Sequence, residues 1–219
     1  KSINEIYRLA KKNSWAIEFT STFNYSENLL DDVLKLDIIK TFHNYFPPHK
    51  DEFVLNLAST NEVIRKKSIE HCINGLILSN KINSTFYAAH AGFCIDPNFS
   101  ELGKKLDFNK NINRELCKSI FLESVNLVLK VADRLGMMFL IENNVISKQN
   151  MMNGINPLLC CDSCEINWLI GEINNENFGI LLDTAHLKVS CNTLNKNIET
   201  ELDNIETSVK ALHHSDNEG

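Results

Sequence analysis

The sequence predicts an α/β fold, a (β/α)₈ barrel formed as a single domain over residues 1–219, and three observations carry that reading. First, stretches of helical spacing alternate with short, nearly continuous apolar stretches, the pattern of parallel strands covered on both faces by the helices between them. Second, six successive candidate strands end in an ionisable residue: Glu18, His43, His90, Glu142, Asp183 and His213. An open doubly wound sheet gathers its ligands at a switch point served by a few strands, whereas a barrel aims the C-terminal end of every strand at one centre. Third, the chain has no Gly-x-Gly-x-x-Gly or Gly-x-x-x-x-Gly-Lys segment, which removes the nucleotide-binding α/β alternatives.

Taken in order, Ile3, Ile6, Tyr7 and Ala10 share a helix face and feed a strand at 15–19. Leu29, Leu30, Val33 and Leu34 make a short second helix before a strand at 38–43, and Pro47-Pro48 stops the chain there. Ser59 and Glu62 have capping-box spacing ahead of a helix with Ile69, Cys72, Ile73, Leu76 and Ile77 on one side, which hands over to a strand at 85–90. Leu116, Ile120, Leu127, Val131 and Leu135 mark a long helix ended by Gly136, followed by an apolar strand at 137–142. Asp162 and Glu165 form another capping pair before Ile166, Leu169, Ile170 and Ile173, leading to a strand at 179–183. Ile198, Leu202, Ile205 and Val209 give the last helix, before a strand at 211–213. The irregular stretch 94–111 reads as a long loop over the strand ends, where substrate contacts gather.

Composition narrows the class. A chain of 219 residues, 43% hydrophobic and 23% charged, fills one core and is neither disordered nor fibrous. No apolar run approaches the roughly 20 residues that span a bilayer and no segment has signal-peptide character, so a cytoplasmic protein away from membranes is expected, although Lys1 in first place is no proof of compartment. Seven cysteines scattered through apolar stretches read as reduced core thiols, and Cys160, Cys161 and Cys164 lack the second Cys/His pair of a zinc finger. A net charge of −6 argues against nucleic acid as a partner, because neutralising phosphates takes clustered Lys and Arg.

Carboxylates and imidazoles converging on one point are what Zn²⁺, Mn²⁺, Co²⁺ or Mg²⁺ requires, and a divalent cation is the simplest compensation for Glu142 and Asp183 at the ends of apolar strands. Asp183-Thr184-Ala185-His186 is the most specific local signal: Asp183 ends a strand and His186 sits on the turn that leaves it, able to face the same site. Alternation along the last strand puts His213 on the side of Ala211 and His214 with Leu212, so His213 is expected to face the carboxylates and Leu212 the helices.

Ile17-Glu18, His43-Asn44-Tyr45, His90-Ala91-Gly92, Ile141-Glu142-Asn143, Leu182-Asp183-Thr184-Ala185-His186 and His213-His214-Ser215-Asp216-Asn217 occur in the order found in the xylose isomerase-like barrels, which this chain resembles over nearly its whole length. The family groups sugar isomerases and epimerases with nucleases of the endonuclease IV type. The resemblance implies a metal-dependent isomerase or epimerase of a small sugar or sugar phosphate, moving a proton beside a carbonyl while the metal stabilises the enediolate. It implies Glu142, Asp183 and His213 as metal ligands, Glu142, His90 and His186 as catalytic groups, and Glu18, His43, His90 and His186 as substrate contacts. The family's fourth ligand, a Glu on the last strand, has no counterpart, and the first and last strands are unaccounted for, so a fragment of the barrel is expected. The alternatives are a zinc phosphodiesterase on abasic DNA, to whose ligands His43, His90, Glu142, Asp183, His186 and His213 also match, and a non-catalytic sugar-binding barrel. His90-Ala91-Gly92 departs from the His-Pro-Gly of the nucleases. The resemblance leaves the sugar and a homo-oligomeric assembly open.

Overall fold

The computed structural model describes residues 2–20, 23–51, 53–107 and 112–216. Six parallel strands follow one another in chain order: β1 (Ile17–Phe19), β2 (Lys40–Phe42), β3 (Phe86–His90), β4 (Met138–Glu142), β5 (Phe178–Asp183) and β6 (Val209–His213). Full ladders join β1 to β2 and run β3-β4-β5-β6, and a single bridge from His43 to Ala88 links the two sheets. This strand sequence, with helices between, is the barrel type of α/β fold. No ladder joins β6 to β1 among the described residues.

Helices α1 (Ile3–Asn13), α2 (Leu29–Leu34), α3 (Glu62–Lys81), α4 (Arg114–Leu135), α5 (Ser163–Ile173), α6 (Thr184–Leu194) and α7 (Ile198–Ile205) fill the connections. Alternation along the strands divides the apolar residues into two layers. Tyr87, Ala89, Phe139, Ile141, Ile180 and Leu182 belong to the large buried cluster shared with the helices, while Ala88, Leu140 and Leu181 pack with Phe86, Met138 and Ala211 in a small inner one. Helix α3 approaches β3 so closely that a Cβ on Gly75 would stand 2.4 Å from the Tyr87 ring, which is why that position has no side chain. Among the described residues, no helix is long and apolar enough to cross a membrane.

Several expectations are corrected. Asn61, not Ser59, caps α3: its side chain accepts from the Val63 N–H, while the Ser59 hydroxyl bonds Asp96 at 2.9 Å. Asp162 caps α5 as expected, but Glu165 reaches the Cys160 N–H and Arg114 instead of closing a reciprocal box. Val209 belongs to β6, because α7 stops at Ile205 and a 3₁₀ turn, Glu206–Ser208, intervenes. Helix α6 starts directly at the end of β5, so His186 lies in its first turn and not on a loop. Leu212 does not face a helical layer: it is 55% exposed, and no described element covers that side of β6. The stretch 94–111 contains a 3₁₀ turn at Phe99–Glu101 and its residues 108–111 lie outside the described residues, as does Asn217 of the final motif.

Candidate metal centre

Parallel registers bring the strand ends level. His90 pairs with Glu142 across β3 and β4, and Asp183 with His213 across β5 and β6. The Glu142 side chain, 3% exposed, lies at the middle of the cluster. Its Oε2 stands 2.9 Å from His43 Nε2 and 3.2 Å from His90 Nδ1; its Oε1 is 3.2 Å from His213 Nδ1 and 3.7 Å from His186 Nδ1. The other His213 nitrogen lies 2.9 Å from Glu18 Oε1, which spans the gap between β6 and β1. All of Glu18, His43, His90, Glu142, Asp183, His186 and His213 therefore meet at one end of the strand arc, while His214 is exposed.

Among the described residues, two sets of three ligand atoms are close enough to share a cation, His43/His90/Glu142 and Glu142/Asp183/His213, each with its atoms within 4.8 Å of one another. The donor chemistry fits. Glu142 Oε2 is buried 2.9 Å from His43 Nε2 and 3.2 Å from His90 Nδ1, yet makes no hydrogen bond of ordinary geometry with either. A buried carboxylate oxygen and two imidazole nitrogens converging in this way form a ligand arrangement for a divalent cation.

The electrostatics follow from the same crowding. Burial alone raises the Glu142 pKa, but the imidazoles of His90, His213 and His43 outweigh it and hold the carboxylate well below the usual range. Burial pushes His90 down to about 4, against the opposing pull of Glu142, so it is neutral near pH 7. Hydrogen bonds to Glu142 and Glu18 push His213 up to about 10. That proton must leave if His213 ligates a cation, so metal uptake at this set would release a proton.

Backbone partners hold the ligands in place. Asp183 caps α6 by accepting from the His186 N–H at 2.9 Å, and His186 Nδ1 donates to the Asn143 carbonyl at 2.9 Å, leaving Nε2 as the lone-pair nitrogen. The Asn143 amide bonds both ways to the Asp183 backbone, accepting from its N–H at 2.7 Å and donating to its carbonyl at 3.1 Å. Asn144 donates to the carbonyls of Ala91, Gly92 and Leu159 and ties the loops after β3 and β4 together. The sequence alone assigns no role to Asn143 or Asn144. The available signal was two consecutive amides directly after a buried carboxylate, a place where backbone groups leave the ladder and need partners.

A cavity of about 460 Å³ opens beside the centre, reached by His90 and His186 and lined otherwise by groups such as Asn44, Asn144, Gln149 and Lys104. Leu102 to Leu106 supply one wall, so part of the predicted loop does border the site. A larger hollow of about 700 Å³ lies at the other ends of β2 and β3, near Trp15, Ile39 and Phe86, and contains none of the clustered groups.

The xylose isomerase-like TIM barrel family model matches residues 16–219. The uncharacterized protein MJ1614 of Methanocaldococcus jannaschii is 28% identical over 165 residues, 75% of this chain, and the chain spans about half, 53%, of that relative's length. A D-tagatose 3-epimerase-like protein superposes with a TM-score of 0.67 at 16% identity over 92% of this chain and 67% of its own. An AP endonuclease, family 2, from Brucella melitensis does so with a TM-score of 0.65 at 14% identity over 97% and 73%. At such identities the structural likenesses speak for the fold. With the family model covering nearly the whole sequence, the chain belongs to the xylose isomerase-like TIM barrel family.

Proposed function

We propose that this centre belongs to a metal-dependent isomerase or epimerase acting on a small sugar or sugar phosphate. The observation that carries the reading is the partly open cavity beside the cluster: its lining is largely apolar, from groups such as Tyr45, Phe93, Leu102 and Leu106, with a few amides between them and Lys104 as its one cation among the described lining residues. A mixed apolar and polar wall with one cation suits a small neutral or singly charged molecule, whereas gripping a nucleic-acid backbone takes several cations.

Glu142, Asp183 and His213 would hold the cation, which supplies charge stabilisation at the substrate's carbonyl oxygen. The chain's own groups would move the proton. An imidazole at the cavity wall, His90 or His186, accepts the proton from the carbon next to the carbonyl, and Glu142 is the carboxylate within reach of both. Return of a proton to the opposite face inverts that carbon; return to the former carbonyl carbon, with the neighbouring hydroxyl's proton passing to the former carbonyl oxygen, moves the carbonyl. Neither outcome changes the atom count, so no co-reactant is needed. Incubating folded, metal-loaded protein with ketoses and aldoses in D₂O should introduce deuterium beside the carbonyl of at least one sugar; no exchange across the panel would overturn the reading.

One feature favours a second reading. Glu142 belongs to both three-ligand sets, and a carboxylate shared by two cations is the arrangement of two-metal phosphodiester hydrolysis. Metal counting separates the two. About one equivalent of bound Zn²⁺ supports the isomerase or epimerase, and two or more, with cleavage of an abasic oligonucleotide, supports the hydrolase.

A further inference from the structure

Behind the centre lies a second pair of histidines that the cluster does not use. His71, on α3, is buried, and its Nε2 is 2.6 Å from the Asn44 carbonyl oxygen; its Nδ1 is 2.9 Å from His49 Nε2. The same carbonyl accepts a 2.5 Å hydrogen bond from the hydroxyl of fully buried Tyr87. A carbonyl can only accept, so His71 carries a proton on Nε2; its burial keeps it from taking a second, so its Nδ1 accepts and His49 donates to it. The chain of bonds then has one direction, from His49 through His71 to the Asn44 carbonyl.

What this chain of bonds holds is the junction of the two sheets. Asn44 follows His43 directly and has φ of 45°, a left-handed conformation that costs a non-glycine residue on the order of 1 kcal/mol. Its N–H donates to the Ala88 carbonyl at 2.8 Å, and its side-chain oxygen accepts from the His90 N–H at 3.4 Å. One residue thus touches the backbones carrying both imidazoles of the His43/His90/Glu142 set, and its carbonyl is pinned by two buried donors.

We propose that His71 is a positioning residue for this half of the centre: by donating to the Asn44 carbonyl it sets the turn that aims His43 and docks against His90, with His49 fixing its tautomer. The inference uses the metal reading above only for its consequence in metal affinity; the positioning itself is a property of the metal-free chain. Gln places an amide donor near the position of Nε2 and can still accept from His49, so His71→Gln keeps the device, whereas His71→Phe removes it.

The test compares wild type, His71→Phe, His71→Gln and Tyr87→Phe. In metal-free protein, long-range ¹H–¹⁵N spectra of the imidazoles should show wild-type His71 as the Nε2–H tautomer. The His43 and His90 signals should move in His71→Phe and return toward wild type in His71→Gln, with those of His186 and His213, their ring neighbours, moving less. Tyr87→Phe should shift the same two histidines by less, and it decides the matter if His71→Phe does not fold. An Nδ1–H tautomer for His71, or His43 and His90 signals indifferent to these changes, overturns the proposal. With Co²⁺ the expected loss is about tenfold in affinity for His71→Phe, recovered in His71→Gln, the lower end for a residue that supports metal ligands from outside. A wild-type protein that takes up no Co²⁺ sinks the metal reading, and the metal-free spectra then judge the positioning role alone.

Discussion

The two parts of the strand arc bring ligands to one centre by different means. β1 and β2 are 3 residues each with a 6-residue helix between them, whereas β3 to β6 run 5 or 6 residues beside helices of 20 and 22. Glu18 and His43 therefore come from strands with little ladder to fix them. An aromatic group holds those strands instead: Phe42 stacks on Phe46 at 4.7 Å, and Phe19 touches Phe46, Phe23 and Phe42 at 5.6 to 6.4 Å. His90 and Glu142 sit on an unbroken ladder, and Asp183 and His213 on one that shifts register by one residue between Ile180 and Leu181 and then runs on to the strand ends; a slip in either would turn these side chains to the other face. Ladders specify position rigidly, while packing of a short strand can open locally. The half carrying His43 thus gains most from added support such as the Asn44 turn.

The largest expected effect strikes both halves together. Glu142→Gln removes the group common to both ligand sets and leaves His43, His90 and His213 facing a neutral amide. Metal content measured by mass spectrometry should fall to background, and sugar C–H exchange should drop by about 10³ or more, the scale of several kcal/mol of lost charge stabilisation. Retained metal and exchange would show that the centre does not depend on its shared carboxylate.

Next comes the difference between packing and ladder. Phe42→Ala and Phe139→Ala each empty a fully buried site and should each cost about 3–5 kcal/mol in chemical denaturation. Their hydrogen-exchange patterns should differ. Phe42→Ala should strip protection from β1 and β2 while the amides of β3 to β6 stay slow, and Phe139→Ala should weaken the four-stranded sheet as a unit. Equal loss across all six strands in both variants would erase the distinction between the halves.

Acid should also act first on the junction. Burial holds His71 at about 4, below the 6.5 of an unperturbed imidazole; nearby Lys67 and His49 oppose its charging, and Tyr45 and Phe53 pack against its ring. Between those values the unfolded chain binds a proton that the folded chain does not. Stability contributed by neutral His71 is whole above about pH 7 and is lost as pH falls from about 6.5 toward 4, by up to about 3 kcal/mol. His49, also lowered by burial, adds in the same direction. Denaturation midpoints of His71→Gln should fall less steeply over this window than those of wild type, and parallel curves would remove His71 from the account.

The long helices and the apolar strands of the β3 to β6 part were legible as elements because each has enough residues to show itself, but the face of α4 was misread: Leu116 and Leu127 are exposed, and Phe121, Val125 and Val128 form the buried side. The set of strand-end groups that the structure gathers was legible too, since alternation and strand ends follow from local pattern. Helix α6 was not. Its segment mixes Thr184, His186, Ser190 and Asn192 with apolar residues and begins with no gap after β5, so no turn residue announces it. The Asn44 turn and the His49–His71 pair were invisible for another reason: their meaning lies in contacts between residues 27 and 22 positions apart, which no local spacing encodes.

The smallest effect expected concerns α3, the helix that leaves the first half and delivers the chain to the second. Capping-box spacing points to Ser59, but the side chain that accepts a backbone N–H at the start of α3 is that of Asn61. Ser59 instead accepts from the Asn61 N–H at 3.0 Å and donates to Asp96, itself held by the Asn56 amide at 2.8 Å, so it fastens the loop after β3. Asn61→Ala should therefore lower global stability by about 1 kcal/mol, the usual worth of a helix N-cap, without altering the centre. Ser59→Ala should act on the loop: faster exchange of the amides that follow His90, and a KM for the sugar that rises while kcat holds, because Leu102 and Lys104 on that loop line the cavity. Should Ser59→Ala prove the purely global variant and Asn61→Ala the one that moves KM, the two residues have been assigned the wrong way round, and the capping-box reading of the sequence was the better guide.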